Sequence, residues 1–230
     1  FAPGWALTIS LLPNFEIRER CGLSTSTRKQ IQKIWPMKLP DMDAEMLAKL
    51  VFCFENDPER SDGIISGAQD AIGICIPGLC RHHYNARFWP DKIEQCKDER
   101  ILCWLENHLC LVPMFPRKPG CSVVENKDIT KTKVKTLAKA ADDCWEAIMQ
   151  TDLEAFAAAY RASFEAQISM FPAMIQPGVQ NYINHYSAMN DVLAWKMPGA
   201  GGGGYLALVV EDASAFCQST TEAIPLTIRR

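Results

Sequence analysis

The sequence predicts an α+β fold, because helical segments and short strands follow one another along its second half. Residues 129–150 and 152–170 each carry apolar side chains at helical spacing. Residues 205–210 and 224–228 are short apolar runs of the kind that form strands. A glycine-rich loop at 198–204 precedes the first of these strands. Helices beside a small sheet are the pattern of an α+β domain.

The bulk composition excludes some classes of protein. The chain has 230 residues, of which 48% are hydrophobic and 22% charged, which suits one large domain or two small ones. Its net charge of -3 argues against a general nucleic-acid binder. No apolar run reaches the roughly 18 residues that a membrane helix needs. The ten cysteines form no Cys-x-x-Cys pair, so we expect buried, reduced thiols in a cytoplasmic protein.

The first hundred residues contain several shorter predicted elements. Residues 5–12 resemble a strand, and a helix is expected to end at Pro36. A second helix can be capped by Asp41 or Asp43. Its spacing predicts that these apolar side chains are buried: Met46, Leu47, Leu50, Val51 and Phe54. Two adjacent histidines, His82 and His83, are interpreted as a surface pair, with acceptor contacts as the alternative.

The second half is predicted in more detail. Residues 101–114 alternate well enough to predict a strand that carries Glu106 and His108. Pro177 suits the first turn of a further helix. Beyond it we expect a short strand at 194–197, the strand at 205–210, a helix at about 212–222 and a last strand.

The glycine loop is the first candidate for ligand contact. Successive glycines adopt positive φ and let backbone N–H groups approach a ligand closely, as in a nest for phosphate oxygens. Large apolar residues, Trp195, Met197 and Tyr205, flank the loop. The alternative is a flexible hairpin or linker, which usually has polar neighbours.

A second candidate is a helix start. Gly22, Leu23 and Ser24 are followed by Thr25, Ser26 and Thr27 ahead of an amphipathic helix. Free N–H groups and the helix dipole at such a start favour an anion, and a hydroxyl can ligate Mg²⁺. The alternative is an ordinary Ser/Thr cap.

Two carboxylates complete the candidates. Asp70 has small or apolar neighbours, so it can lie beside a substrate hydroxyl and accept its proton. The alternative is a turn or capping aspartate. Glu55 ends the second predicted helix and is either a magnesium ligand or a solvated helix-end residue.

In combination these segments resemble the GHMP kinases, the family of galactokinase, homoserine kinase, mevalonate kinase and phosphomevalonate kinase. Residues 22–27 resemble its second motif, which wraps the ATP phosphates, although Arg28 and Lys29 replace the usual small residues. Gln69 and Asp70 resemble a segment of fucose and heptose kinases. Residues 196–205 resemble the third motif, a glycine loop near the phosphates and the acceptor. The motifs occur in the family's order.

The resemblance implies a two-domain architecture and a set of roles. A partial N-terminal domain, ribosomal protein S5 domain 2-like, would occupy 1–98, and a ferredoxin-like domain 99–230. The cofactors would be ATP and Mg²⁺, with Mg²⁺ held by Ser26 and Glu55, and Asp70 would be the catalytic base. The ATP-binding residues would be Gly22, Leu23, Ser24, Thr25, Ser26 and Thr27. The phosphate loop would comprise Gly199, Ala200, Gly201, Gly202 and Gly203.

The resemblance also leaves alternatives. GHMP kinases begin with a strand-rich segment that grips the sugar, and this chain is expected to start after it and not to be a complete active enzyme. The expected function is phosphorylation of a sugar hydroxyl. A non-sugar alcohol as acceptor, or a non-catalytic metabolite-binding protein, remain the alternatives. No nucleic-acid or membrane partner is expected, and the sequence does not decide the oligomeric state.

Overall fold

A computed structural model describes residues 43–56, 65–116, 126–199 and 201–230. The chain divides into two compact units, the first ending at Cys96 and the second running from Lys97 to Arg229. Helices and strands both occur, which confirms the predicted α+β class. Among the described residues, no helix combines the length and the apolar character needed to cross a membrane. The predicted strand at 5–12 and the helix before Pro36 lie outside the described residues.

The described part of the first unit contains two helices and a hairpin. These elements are helix α1 (Ala44–Glu55), helix α2 (Gln69–Cys75), strand β1 (Leu79–His83) and strand β2 (Lys92–Cys96). Asp43 begins α1, since its carboxylate accepts the N–H groups of Glu45 and Met46, each at 3.1 Å. The strands of the hairpin pair in antiparallel register, with Arg81 opposite Glu94.

The packing of α1 against α2 forms the core of this unit. Ala48 and Val51 of α1 and Ala71 and Ile72 of α2 are fully buried in one cluster. The predicted burial of Val51 is thereby confirmed. The predicted burial of Met46 and Leu50 is wrong, since both side chains are exposed. The face of α1 that packs on α2 is formed by Ala48 and Val51 instead.

In the second unit, the described residues form a four-stranded antiparallel sheet covered by helices. Its strands are β3 (Leu109–Pro113), β4 (Val192–Lys196), β5 (Tyr205–Val210) and β6 (Ile224–Pro225), in the order β4-β5-β3-β6. Its helices are α3 (Glu99–His108), α4 (Lys131–Gln150), α5 (Leu153–Met170), α6 (Pro177–Ser187) and α7 (Ala213–Ser219), with a 3-10 turn at Pro172–Met174. The long helices α4 and α5 pack on each other, and α5 also packs on β4.

Most sequence predictions for this unit are confirmed. Helices α4 and α5 form within the two predicted helical segments, and Pro177 stands in the first turn of α6. Strand β5 has the predicted bounds, whereas β6 is shorter than predicted. The core joins the inner face of the sheet to the helices through buried residues such as Leu208, Phe164 and Tyr186.

The predicted strand over 101–114 is wrong in its first part. Residues Glu99–His108 form α3, and only Leu109–Pro113 is a strand. Asp98 begins the helix by accepting the N–H of Arg100 at 2.9 Å, and Leu102 and Leu105 are buried at helical spacing. The local alternation of apolar and polar residues is also typical of a strand, but the Asp98 cap and the buried pair Leu102 and Leu105 favour the helix.

The two polar residues assigned to that strand therefore stand on α3. The Nδ1 atom of His108 lies 3.1 Å from the carbonyl oxygen of Val210, so the imidazole donates to the end of β5. Glu106 accepts the N–H of Ile228 at 2.6 Å. Both side chains fasten α3 to neighbouring backbone in the second unit.

The cysteines differ in their exposure to solvent, whereas the sequence predicted buried thiols. Cys75, Cys96 and Cys110 are buried, whereas Cys53 and Cys103 are exposed. All of the cysteines in the described part of the chain are reduced thiols. Cys53 lies between apolar residues in the sequence, but it points away from the face of α1 that packs on α2.

Candidate functional site

A cavity of about 530 Å³ lies in the first unit, beside the end of α1 and the start of α2. Its polar lining comprises the carboxylates of Glu55 and Asp70, the amide of Gln69 and the imidazole of His82. Ile74 and Ile76 contribute apolar wall. The volume falls within the range of roughly 300–1,000 Å³ that is usual for small-molecule sites.

The packing of the two helices explains why these side chains meet. Glu55 is the last residue of α1, and Asp70 stands in the first turn of α2. Because the buried residues Val51 and Ile72 hold the helices together, the C-terminal end of one helix comes beside the N-terminal end of the other. The structure thus brings Glu55 and Asp70 into one cavity.

The two carboxylates influence each other electrostatically. Burial raises the pKa of Glu55, and the neighbouring charge of Asp70 raises it further. The charge of Asp70 disfavours the charged form of Glu55, so a cation beside Glu55 would stabilise its carboxylate.

These two groups fit a magnesium site of the kind that shares its ion with phosphates. Within the described ranges, no group of three or more His, Cys, Asp or Glu residues could hold a metal ion. Mg²⁺ usually needs only one or two carboxylates, since waters and substrate phosphates complete its octahedral shell. Ser26, the other predicted ligand, lies outside the described residues.

The predicted triphosphate-binding helix start is likewise outside the described part of the chain. This applies to Gly22, Leu23, Ser24, Thr25, Ser26 and Thr27. Their assignment stays a prediction.

The glycine loop belongs to the second unit and connects β4 to β5. Gly199, Gly201 and Gly202 have φ values of 71°, 77° and 75°, in the left-handed region that glycine adopts without strain. Gly203 also has a positive φ, of 141°. Ala200 lies outside the described residues.

Backbone hydrogen bonds hold this loop in place. The N–H of Gly202 donates to the carbonyl of Met174 at 3.2 Å, and that of Gly204 donates to the carbonyl of Phe115 at 2.8 Å. A Cβ atom at Gly201 would lie 2.9 Å from the Cβ of Met174, so the close approach also requires glycine. A loop fastened at these points is not a flexible linker.

The same bonds limit how the loop could bind a ligand. The N–H groups of Gly202 and Gly204 are used within the fold. Those of Gly201 and Gly203 donate to no acceptor in the part of the chain that the structure describes. Gly203 is half-buried whereas Gly201 is buried, so the N–H of Gly203 is the donor through which the loop could contact phosphate oxygens.

Lys196, at the end of β4, was not among the predicted site residues. Its ammonium group hydrogen-bonds the hydroxyl of Ser163, a buried residue of α5. Burial lowers the pKa of Lys196, and the nearby Cys144 acts weakly in the opposite direction. A lysine on an otherwise apolar strand, three residues before Gly199, was the available sequence signal.

The pair His82 and His83 divides between the two faces of β1. The imidazole of His83 lies 2.8 Å from Glu94, which also pairs with Arg81 at 2.7 Å and with Lys92 at 2.5 Å. Hydrogen bonds from Lys92, then His83, then Arg81 hold the pKa of Glu94 at about 2, despite partial desolvation. His82 points to the opposite face and lines the cavity. The predicted surface pair therefore describes His83 and not His82.

Comparisons with known proteins show similarity in structure and not in sequence. No family model matches the chain, and no curated protein matches it significantly. Solved structures do match. A D-glycero-D-manno-heptose 1-phosphate kinase from Bacteroides thetaiotaomicron is 16% identical at a TM-score of 0.55, over 83% of this chain and 54% of that one.

Two further structures extend the comparison. Lactococcus lactis galactokinase, solved with galactose, is 15% identical at a TM-score of 0.54, over 87% of this chain and 62% of that one. The mevalonate diphosphate decarboxylase of Enterococcus faecalis, described in terms of its ATP-binding mechanism, is 14% identical at 0.51, over 82% of this chain and 59% of that one. The chain thus spans 54% to 62% of the length of these three proteins.

Proposed function

We propose that this chain, which has the GHMP kinase fold, belongs to a kinase that transfers a phosphoryl group from ATP to a sugar hydroxyl. The observation that carries the proposal is the placement of Glu55 and Asp70 together in one small-molecule cavity. Structural similarity to a heptose 1-phosphate kinase and to a galactokinase supports a sugar as the acceptor. The motifs at 69–70 and 196–205 favour the fucose and heptose branch.

Asp70 is the proposed catalytic base. It lies in the first turn of α2, where its carboxylate faces the cavity and is exposed to an incoming ligand. An acceptor hydroxyl bound there would donate a hydrogen bond to this carboxylate and pass its proton to it as the new O–P bond forms. Gln69, next to it in the cavity wall, can orient the acceptor through its amide.

Glu55 is the proposed protein ligand of Mg²⁺, together with Ser26. When bound, Mg²⁺ neutralises charge on the phosphates during transfer. Glu55 is suited to this role because its carboxylate is partly buried and is repelled by the charge of Asp70, so a cation would stabilise it. Its own contribution is to fix a negative charge at the edge of the cavity.

The phosphates of ATP are assigned to two backbone segments. The helix start at 22–27 would supply free N–H groups and hydroxyls. The loop formed by Gly199, Ala200, Gly201, Gly202 and Gly203 would supply further N–H groups, chiefly that of Gly203.

A screen of acceptors on the full-length protein tests the proposal. Purified protein would be incubated with ATP, Mg²⁺ and a panel containing fucose, galactose, heptoses, mevalonate and homoserine, and ADP release would be measured. We expect release with a sugar and its loss in Asp70→Asn. Activity with mevalonate or homoserine alone would replace the sugar by another alcohol. No release and no thermal shift with ATP and Mg²⁺ would favour a non-catalytic metabolite-binding protein.

A further inference from the structure

His82 lines the cavity but has no role in the chemistry assigned to Glu55 and Asp70. It stands on β1, opposite Ile93 of β2, and lines the same cavity as Glu55 and Asp70. Its ring contacts Tyr84 edge-on, with ring centroids 6.2 Å apart. Among the residues that the structure describes, no group hydrogen-bonds the imidazole nitrogens, so both remain available to a ligand.

The hairpin separates His82 from the charged cluster on the opposite face of β1. On the other face of β1, Arg81 and His83 are engaged by Glu94, with Lys92 completing the cluster. Strand alternation therefore leaves the imidazole of His82 on the cavity side, where no described residue, Glu55 and Asp70 included, hydrogen-bonds it. Burial lowers the pKa of His82, and His83 lowers it further, so the ring is neutral at physiological pH.

The charge of the cavity restricts what such a ring would bind. Its described lining contains two carboxylates and one imidazole, and none of the described lining residues is lysine or arginine. Away from the Mg²⁺ proposed at Glu55, a phosphate or carboxylate of the acceptor would be repelled by Asp70, and no described lining residue supplies a cation to offset this repulsion. A hydroxyl can donate to one nitrogen of a neutral imidazole or accept from the other.

We propose that His82 is an acceptor-binding residue that hydrogen-bonds a hydroxyl group of the molecule phosphorylated in this cavity, and that this group is uncharged. The inference rests on the proposed function and adds to it a specificity-determining contact on β1. Because the reacting hydroxyl is assigned to Asp70, His82 contacts a different hydroxyl of the same acceptor. An acceptor with several hydroxyls, as in a sugar, meets both requirements.

The test combines protein variants with acceptor analogues. The full-length protein and its His82→Ala, His82→Gln and His83→Ala variants would be assayed for ADP release with the preferred sugar and each of its monodeoxy analogues. His83→Ala is the matched control, since it removes the same ring from the opposite face of the strand. Circular dichroism melting would confirm folding, and His82→Gln keeps the test valid if His82→Ala does not fold.

We expect His82→Ala to raise KM for the sugar about tenfold with kcat much less affected, the size of one lost hydrogen bond. One monodeoxy sugar should show the same loss with the wild-type protein and no additional loss with His82→Ala. His82→Gln should recover part of the affinity, because its amide can donate and accept. His83→Ala should leave KM within about twofold of the wild type.

Several results would overturn the inference. One is an unchanged KM in both His82 variants, and another is equal sensitivity of all deoxy sugars in wild type and His82→Ala. A better turnover of the analogue that carries a carboxylate in place of the identified hydroxyl would show that the bound group is charged. If ADP release depends on Asp70 and not on His82, only this inference fails. If no acceptor gives Asp70-dependent release, the proposed function fails with it.

Discussion

Glu55 and Asp70 stand on different helices, yet they share one cavity wall, where burial and then the charge of Asp70 raise the pKa of Glu55. Neither carboxylate belongs to an ion pair among the described residues that would compensate this repulsion. Two uncompensated carboxylates in a concave site are a common arrangement for binding a cation or moving a proton. The first prediction follows from this pair.

Replacing Asp70 by Asn should lower turnover by about 100-fold or more, the usual contribution of a positioned general base. The affinity for ATP should change little, because Asp70 is assigned to the acceptor and not to the phosphates. Turnover would be measured by ADP release and ATP affinity by calorimetry.

Asp91→Asn is the matched control for this variant. Asp91 lies in the same unit, and its side chain makes an exposed 3.4 Å pair with Arg87, so turnover should stay at the wild-type level. Equal activity of Asp70→Asn and Asp91→Asn would remove Asp70 from the mechanism.

The glycine loop predicts a graded loss of stability. Gly201→Ala should destabilise the protein by about 2–5 kcal/mol, since φ is +77° and the new Cβ would meet Met174 at 2.9 Å. Gly204→Ala should cost only about 1–2 kcal/mol, because φ is +91° but nothing lies within 4 Å of the new Cβ. Urea unfolding of both variants measures the difference, and equal losses would mean that the contact with Met174 is not restrictive.

The buried phenol of Tyr186 predicts a dependence of stability on pH. Its hydroxyl donates to Glu222 at 2.8 Å, and this bond lowers the pKa of Glu222. A carboxyl with a lowered folded-state pKa stabilises the fold above its unfolded pKa, about 4.3, and loses that contribution as pH falls through the folded value.

Tyr186→Phe should therefore be less stable than the wild type at pH 7, and the gap should narrow as the pH is lowered below about 4. Urea unfolding at a series of pH values from 7 to 3 would show this. Tyr205→Phe is the control, since Tyr205 is exposed and its substitution should have little effect at any pH. A gap that stays constant with pH would mean that Tyr186 acts only through packing.

The thiols should react in the order of their exposure. Burial raises the pKa of Cys110 to about 12, with Cys217 contributing, and burial raises that of Cys144 to about 11. Because the thiolate is the reactive form, both should resist a maleimide in the native protein at pH 7. Cys53 and Cys103, which are exposed, should react before them. Peptide mass spectrometry after timed labelling gives the order, and early labelling of Cys110 would contradict the buried position of β3.

Elements with strong local signals could be predicted from the sequence. Helices α4 and α5 are long and amphipathic, and the side chains of Thr130 and Asp152 cap their N-terminal ends. A helix of this length needs little information from the rest of the chain. The short helix α3 could not be predicted in this way, because its ten residues carry a pattern that also suits a strand.

The candidate site shows the same division. The sequence by itself determined that the glycines of the loop at 198–204 can take positive φ without strain, and that Asp70 has small or apolar neighbours. Only the tertiary structure decided that Asp70 shares a cavity with Glu55 and that His82, and not His83, lines it. Backbone preferences are local and can be read along the chain, whereas contacts between side chains depend on how helices and strands pack, which alternation and spacing do not specify.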